Sequence, residues 1–192
     1  CIAATMPRQI DTPMLLLDVG INPDCNQDEL NQYAILGDIY ARQVLKLPNP
    51  RIGLLNIGEE EGKGNLVTKA AYQLMKDSPL FNFVGNLEGS DLFSDKADVM
   101  VCDGFVGNVM LKEAEAFYAM VRKRNIKDTF FEKFNFVNYG GTPILGINAP
   151  VMIAHVISND IAIKNLIVHT AGVIKGNLCE KFKEAFKECP EI

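Results

Sequence analysis

RIGLLNIGEEEGKGNLVTKAAYQLM, Arg51 to Met75, is the stretch on which the fold turns. Arg51 to Ile57 is a short apolar run of strand character. An acidic, glycine-rich loop follows, and a helix runs from about Asn65 to Lys76. A strand that enters a helix through a tight loop leaves backbone N–H groups unpaired at the helix start, which favours an anion there. Lys63, between Gly62 and Gly64, adds a point charge with no adjacent side chains to block a ligand. Asn65 stands where an N-cap or a ligand donor would stand. The stretch therefore reads as an oxyanion or phosphate seat. The same spacing suits an ordinary strand-to-helix turn with a solvated acidic rim equally well.

Two phosphate-binding motifs fail on this loop. A Walker A sequence needs four residues between its first two glycines and then Lys followed by Ser or Thr. Only Glu59, Glu60 and Glu61 separate Gly58 from Gly62, and Gly64 follows Lys63. The dinucleotide fingerprint lacks its third glycine, because Val67 stands there. Three successive glutamates would also repel a pyrophosphate.

Outward from this stretch, the strand-turn-helix design recurs. Met14 to Val19 (MLLLDV) reads as a strand buried on both faces, ending in Gly20 and the Asn22-Pro23-Asp24 turn. Asn26 with Glu29 makes a capping-box start for a helix that closes before Pro48 and Pro50. Phe81 to Val84 and Asp98 to Cys102 read as further strands. After the latter, Asp103-Gly104-Phe105-Val106-Gly107-Asn108 leads into a helix carrying Met110, Ala114, Phe117 and Val121 in register. Strands alternating with helices imply parallel β-α-β units in a doubly wound layer. Ligands of such sheets collect beyond the carboxyl ends of the strands, where Asp18, Lys63, Asp103 and Asn108 all fall.

The flanks read differently. Residues 1–13 are expected to be irregular, because Pro7 and Pro13 discourage helix. Arg122, Lys123, Arg124 and Lys127 precede Phe130, Phe131, Phe134 and Phe136, which suits an element that meets an anionic partner or membrane surface. The favoured reading is a surface helix with its phenylalanines packed and its charges in water. Beyond Gly140-Gly141, Thr142 to Asn148 and Val151 to His155 read as two strands. Ser158-Asn159-Asp160 then caps a long helix interrupted near Gly176.

Composition sets outer bounds. At 192 residues, 48% hydrophobic and 22% charged, the chain is long enough for one substantial core. A formal charge of -5 provides no global basic field for nucleic acid. Cys1, Cys25, Cys102, Cys179 and Cys189 are odd in number and never spaced C-x-x-C, which suggests reduced thiols in a cytoplasmic protein. The opening at Cys1, without an initiator Met, suggests that a segment precedes it.

The polar residues near strand ends leave alternatives open. His155, just before a helix cap, suits a proton relay. A buried imidazole satisfied by a carbonyl is the favoured alternative. His169 lies mid-helix and reads as structural. Cys102 is read as a small hydrophobe rather than an acyl-accepting nucleophile. Asp103 suits either a ligand contact or, more commonly, a helix cap.

Taken in order, LLLDVG (Leu15 to Gly20), IGEEEGKGN (Ile57 to Asn65), CDGFVGNV (Cys102 to Val109), YGGTPILGIN (Tyr139 to Asn148) and AHVISNDIAIKN (Ala154 to Asn165) closely resemble the PlsX family. These are the acyl-acyl-carrier-protein:phosphate acyltransferases of bacterial phospholipid synthesis. The resemblance covers nearly the whole chain and matches about the later two-thirds of a family member. It implies a three-layer α/β/α sandwich with a mainly parallel sheet, similar more distantly to phosphotransacetylases and to the isocitrate and isopropylmalate dehydrogenase fold. Residues 1–192 would then be a single α/β unit of a larger subunit that forms a homodimer. The implied reaction takes an acyl group from acyl carrier protein to inorganic phosphate, with no metal and no cofactor. It would take place in the cytoplasm, with peripheral contact at the inner face of the membrane.

Chemistry then assigns roles. Lys63, Gly62, Gly64 and Asn65 take the phosphate. Asn108, with the turn of Asp103, Gly104 and Gly107, takes the thioester oxyanion, and His155 assists the leaving thiolate. A phosphotransacetylase acting on coenzyme A thioesters is the runner-up. A non-catalytic carrier- or membrane-binding module centred on the basic-aromatic segment is the alternative from another class. A metal- and NAD-dependent dehydrogenase is disfavoured, for want of clustered aspartates and a nucleotide fingerprint.

Overall fold

The computed structural model describes residues 1–155 and 158–188, so Cys189 lies outside the described residues. Its centre is a five-stranded sheet of β1 (Ala3–Met6), β2 (Met14–Leu17), β3 (Arg51–Leu55), β4 (Asn82–Leu87) and β5 (Val99–Val101). The spatial order is β1-β2-β5-β3-β4. β2, β5, β3 and β4 are all parallel, and β1 alone runs antiparallel, on the edge beside β2.

Burial explains why the central strands are apolar without alternation. In β2, Leu15 and Leu17 join a core with α1 (Gln27–Gln43), α2 (Leu66–Lys76) and α6 (Leu178–Glu188). Met14 and Leu16 face the opposite core, shared with α3 (Gly104–Lys123). β5 divides likewise, with Val99 and Val101 on one side and Met100 on the other. The sheet is thus covered on both faces, as the expected α/β/α layering requires.

Local signals set the helix starts. Asn26 and Glu29 form the reciprocal capping box of α1. Asn65, Asp103 and Asn159 cap α2, α3 and α5 (Asp160–Lys175), each side chain accepting an N–H of the first turn. A single helical turn, α4 (Thr129–Glu132), follows α3. Gly176 ends α5, as expected.

One region departs from the sequence expectation. Residues 1–13 are not irregular throughout, because Ala3–Met6 pairs with Met14–Leu17 in the register Ala3↔Leu17 to Met6↔Met14. AATM carries little strand propensity, so pairing with a strongly apolar partner creates this strand. The two late strands are present as expected, and β6 (Gly141–Ile144) and β7 (Val151–Ala154) pair as an antiparallel hairpin separate from the main sheet. It touches the main sheet through an Ile2↔Ile144 bridge and a 2.8 Å bond from Leu145 N–H to the Cys1 carbonyl.

A buried charge cluster fixes the amino ends of the strands. Arg8 is fully buried. It donates to both the carbonyl and hydroxyl of Thr12, to the Ala97 carbonyl, and to Asp98 at 2.8 Å. Arg51 binds the same carboxylate through its backbone N–H at 2.9 Å and its Nε at 3.0 Å. Burial alone would raise the Asp98 carboxyl, but the hydrogen bonds from Arg51 and Arg8 prevail and hold it at about 2.

Candidate functional site

At the opposite end of the sheet, the neighbouring parallel strands β3 and β5 send their helices to opposite faces. The chain leaving β3 turns to α2 and that leaving β5 turns to α3, which opens a crevice at the topological switch point. A hollow of about 690 Å³ lies there, lined among others by Asn56, Gly64, Asn65, Thr68, Asp103 and Val106. Both helix starts face it. The N–H groups of Leu66 and Val67 in α2, and of Phe105 in α3, have no protein partner among the described residues.

The loop between β3 and α2 is held by asparagines. Asn56 donates to the Lys63 carbonyl at 3.1 Å and to Asn86 Oδ1 at 3.0 Å, and Asn86 donates to the Glu60 carbonyl at 2.9 Å. Gly64 has φ +99°, and a Cβ there would collide with Asn56 and Thr68, so only glycine fits. Gly62 has open space around it. The acidic rim is balanced by lysines: Glu59 meets Lys96, Glu60 meets Lys63 and Glu61 meets Lys76. Lys63 is half exposed, its stem folded over Gly58 and its ammonium 4.0 Å from Glu60.

The start of α3 is pressed against the loop after β2. A Cβ on Gly107 would strike the Asp18 carbonyl, and one on Gly104 would come within 2.8 Å of Asp18 Oδ2. Several N–H groups of this turn are already engaged: Gly104 with the Asn22 carbonyl, Val106 with Asp103 Oδ1, and Gly107 with the Asp103 carbonyl. Asp18 does not open into the crevice. It is fully buried and accepts the N–H groups of Ile2, Gly20, Ile21 and Asn22.

The structure therefore sorts the sequence candidates into groups. Gly64, Asn65 and Asp103 line the switch-point crevice. Asn108 and His155 line a second, mostly apolar hollow of about 320 Å³ between β1, α3 and the β6–β7 hairpin. Lys63, Gly62, Gly104 and Gly107 line neither hollow. α3 stands between the two, with Val106 toward one and Asn108 toward the other. Asn56 and Asn86 escaped sequence reasoning. Their only signal was an asparagine at the carboxyl end of two successive strands.

Other candidates have structural explanations. Burial pushes the Cys102 thiol well above its usual range, and the thiol lies 3.5 Å from the Asp18 carbonyl, so this cysteine is packing. Burial also lowers His169, which shares a 2.7 Å hydrogen bond with the Tyr40 hydroxyl and ties α5 to α1. Phe130 meets Phe131 and Phe134 edge to face, and Phe134 meets Phe93 in the same way, while Arg122, Lys123, Arg124 and Lys127 are exposed to water. Among the described residues, no three His, Cys, Asp or Glu side chains are placed to hold a metal ion. No described helix is long and apolar enough to cross a membrane.

Sheet order, covering helices and switch-point crevice define a protein of phosphotransacetylase fold. The chain is similar to a phosphotransacetylase from Streptococcus pyogenes, with a TM-score of 0.58 and 17% identity, over 90% of this chain and 53% of that one. For the EutD phosphotransacetylase from Staphylococcus aureus the TM-score is 0.54 at 12% identity, over 91% and 53%. More closely, the chain belongs to the fatty acid synthesis protein family, whose model matches residues 1–130. This bears out the resemblance drawn from its motifs. A phosphate acyltransferase from Dictyoglomus thermophilum is 38% identical over 97% of this chain and 61% of its own length. One from Acidobacterium capsulatum is 45% identical over 80% of this chain and 51% of its own. The chain thus spans about three-fifths of the first of these relatives and half of the second.

Proposed function

We propose that the protein carrying this chain transfers a fatty acyl group from acyl carrier protein to inorganic phosphate, supplying acyl phosphate for phospholipid synthesis. The observation that supports this most is kinship, over 97% of the chain, with a relative named phosphate acyltransferase. The switch-point crevice adds a physical reason, since unpaired N–H groups at two helix starts suit a small anion.

In this reading, phosphate rests at the start of α2 on the N–H groups of Leu66 and Val67. Lys63 swings from its weak pair with Glu60 to meet it, a rotamer change open to an exposed side chain. A phosphate oxygen attacks the thioester carbonyl carbon, the C–S bond breaks, and the carrier thiolate leaves and takes up a proton. Phosphate is already an anionic nucleophile at neutral pH, so the protein supplies position more than deprotonation, worth about 7–11 kcal/mol when the geometry is right. The Phe105 N–H, at the start of α3 beside the same crevice, steadies the developing oxyanion, at about 2.7–4 kcal/mol for one such donor. Asn108 and His155, across α3 in the other hollow, take no part in this step. A second copy of the chain completes the assembly as a homodimer, and the protein makes peripheral contact with a membrane surface.

The test is phosphate-dependent release of free thiol from a long-chain acyl carrier protein by the complete protein, with the matching coenzyme A thioester as competitor. Release that requires phosphate and prefers the carrier supports the proposal. Preference for coenzyme A moves the protein to phosphotransacetylase chemistry, and carrier binding without acyl phosphate makes it a binding module.

A further inference from the structure

We infer that Asn86 is a positioning residue for phosphate capture, acting through the loop that carries Lys63. This rests on the anion seat proposed above and names a residue, 23 positions downstream of Lys63, that sets its geometry.

The first observation is a break in strand register. β4 pairs with β3 as Arg51↔Asn82 and Ile52↔Phe83, and then as Leu54↔Asn86 and Leu55↔Leu87. One extra residue therefore sits on β4, beside Gly85 at φ +97°. Bulges are uncommon between parallel strands, and an inserted residue re-aims every side chain beyond it. Here the shift brings Asn86 level with Leu54 and under the loop.

The second observation is how that side chain is used. Asn86 is buried, and its amide is engaged at both ends by the loop and its root. Nδ2 donates to the Glu60 carbonyl, and Oδ1 accepts from Asn56, which also holds the Lys63 carbonyl. The Glu60 carbonyl accepts a second bond, at 3.0 Å from the Lys63 N–H. The turn from Glu60 to Lys63 is thereby pinned at both ends, at Glu60 by Asn86 of β4 and at Lys63 by Asn56, itself held by Asn86. The pin sets where the Lys63 side chain leaves the backbone and how the first turn of α2 faces the crevice. Sheet pairing does not require it, since these bonds join side chain to loop.

Steady-state kinetics on the complete protein tests the role. Asn86→Ala should raise the KM for phosphate about tenfold, through a loop carbonyl left unpaired and a displaced lysine, with the KM for the acyl donor changed less than twofold. Asn86→Asp should show the same selective loss near neutral pH, because a carboxylate cannot donate to the Glu60 carbonyl. Its phosphate KM relative to the parent, measured at each pH, should recover as acid restores an O–H donor. That recovery is a signature a merely structural side chain would not give, and it keeps the test available where Asn86→Ala lowers the folded fraction. An active parent whose two variants keep the parental phosphate KM overturns the role of Asn86 alone, as does an equal rise in both KM values. A parent with no phosphate-dependent turnover overturns the acyl-transfer reading itself, and this inference with it.

Discussion

The two ends of the parallel sheet are built on opposite terms. At the amino ends, Arg8 and Asp98 are buried together, and each charged atom is matched by a carboxylate, carbonyl, hydroxyl or guanidinium. At the carboxyl ends, polar groups are left available among the described residues: the N–H groups of Leu66, Val67 and Phe105, and a Lys63 ammonium paired only at 4.0 Å. The saturated end contributes stability and has nothing to offer a ligand. The unsaturated end contributes little stability and has the groups an anion needs. A fixed frame at one end allows an open, precisely hung loop at the other.

Breaking the saturated end should give the largest effect. Arg8→Ala leaves Asp98 short of a partner and should cost about 3–5 kcal/mol in urea unfolding, with any surviving folded protein keeping its phosphate KM. If the cost is under 1 kcal/mol, the contrast between the ends disappears. The converse variant, Lys63→Ala, should lower phosphate-dependent turnover about a hundredfold, near 2.7 kcal/mol, while the unfolding midpoint stays within error. A loss of stability without a loss of turnover would reverse the assignment.

Acid should act on the saturated end as well. The Asp98 carboxyl sits at about 2, below its ordinary 3.8. Its contribution is therefore fully present above about pH 4 and is lost as pH falls toward 2, about 2 kcal/mol in all. Acid unfolding curves of the parent and Asp98→Asn should converge over that window, and curves that stay parallel would refute the linkage. The smallest effect belongs to the rim. Glu60→Gln removes the carboxylate that competes for Lys63, so the phosphate KM should fall about two- to threefold at low salt and less at high salt.

Much of this architecture was legible in the chain. The unbroken apolar runs of MLLL and VMV marked strands buried on both faces, and Asn26, Asn65 and Asp103 announced their helices by capping chemistry. AATM was missed because its strand exists only through its partner, a contact that local propensity does not encode. The site was less legible than the fold. The strand-turn-helix pattern put Lys63, Asp103 and Asn108 near strand ends, yet only three dimensions show α3 parting Asn108 and His155 from Gly64, Asn65 and Asp103. Asp18 had the right position for a ligand contact, but its carboxylate is turned inward to four backbone N–H groups. Asn86 needed the register shift in β4 to acquire its meaning.

The loop and helix start after β3 are the proposed seat for an inorganic anion. Amide hydrogen exchange across residues 58–68 of the complete protein, with phosphate against chloride at equal ionic strength, tests it most directly. Phosphate should slow exchange at Leu66 and Val67, and Lys63→Ala should weaken the protection. Unchanged exchange throughout that stretch at saturating phosphate, with protection found elsewhere, would contradict it.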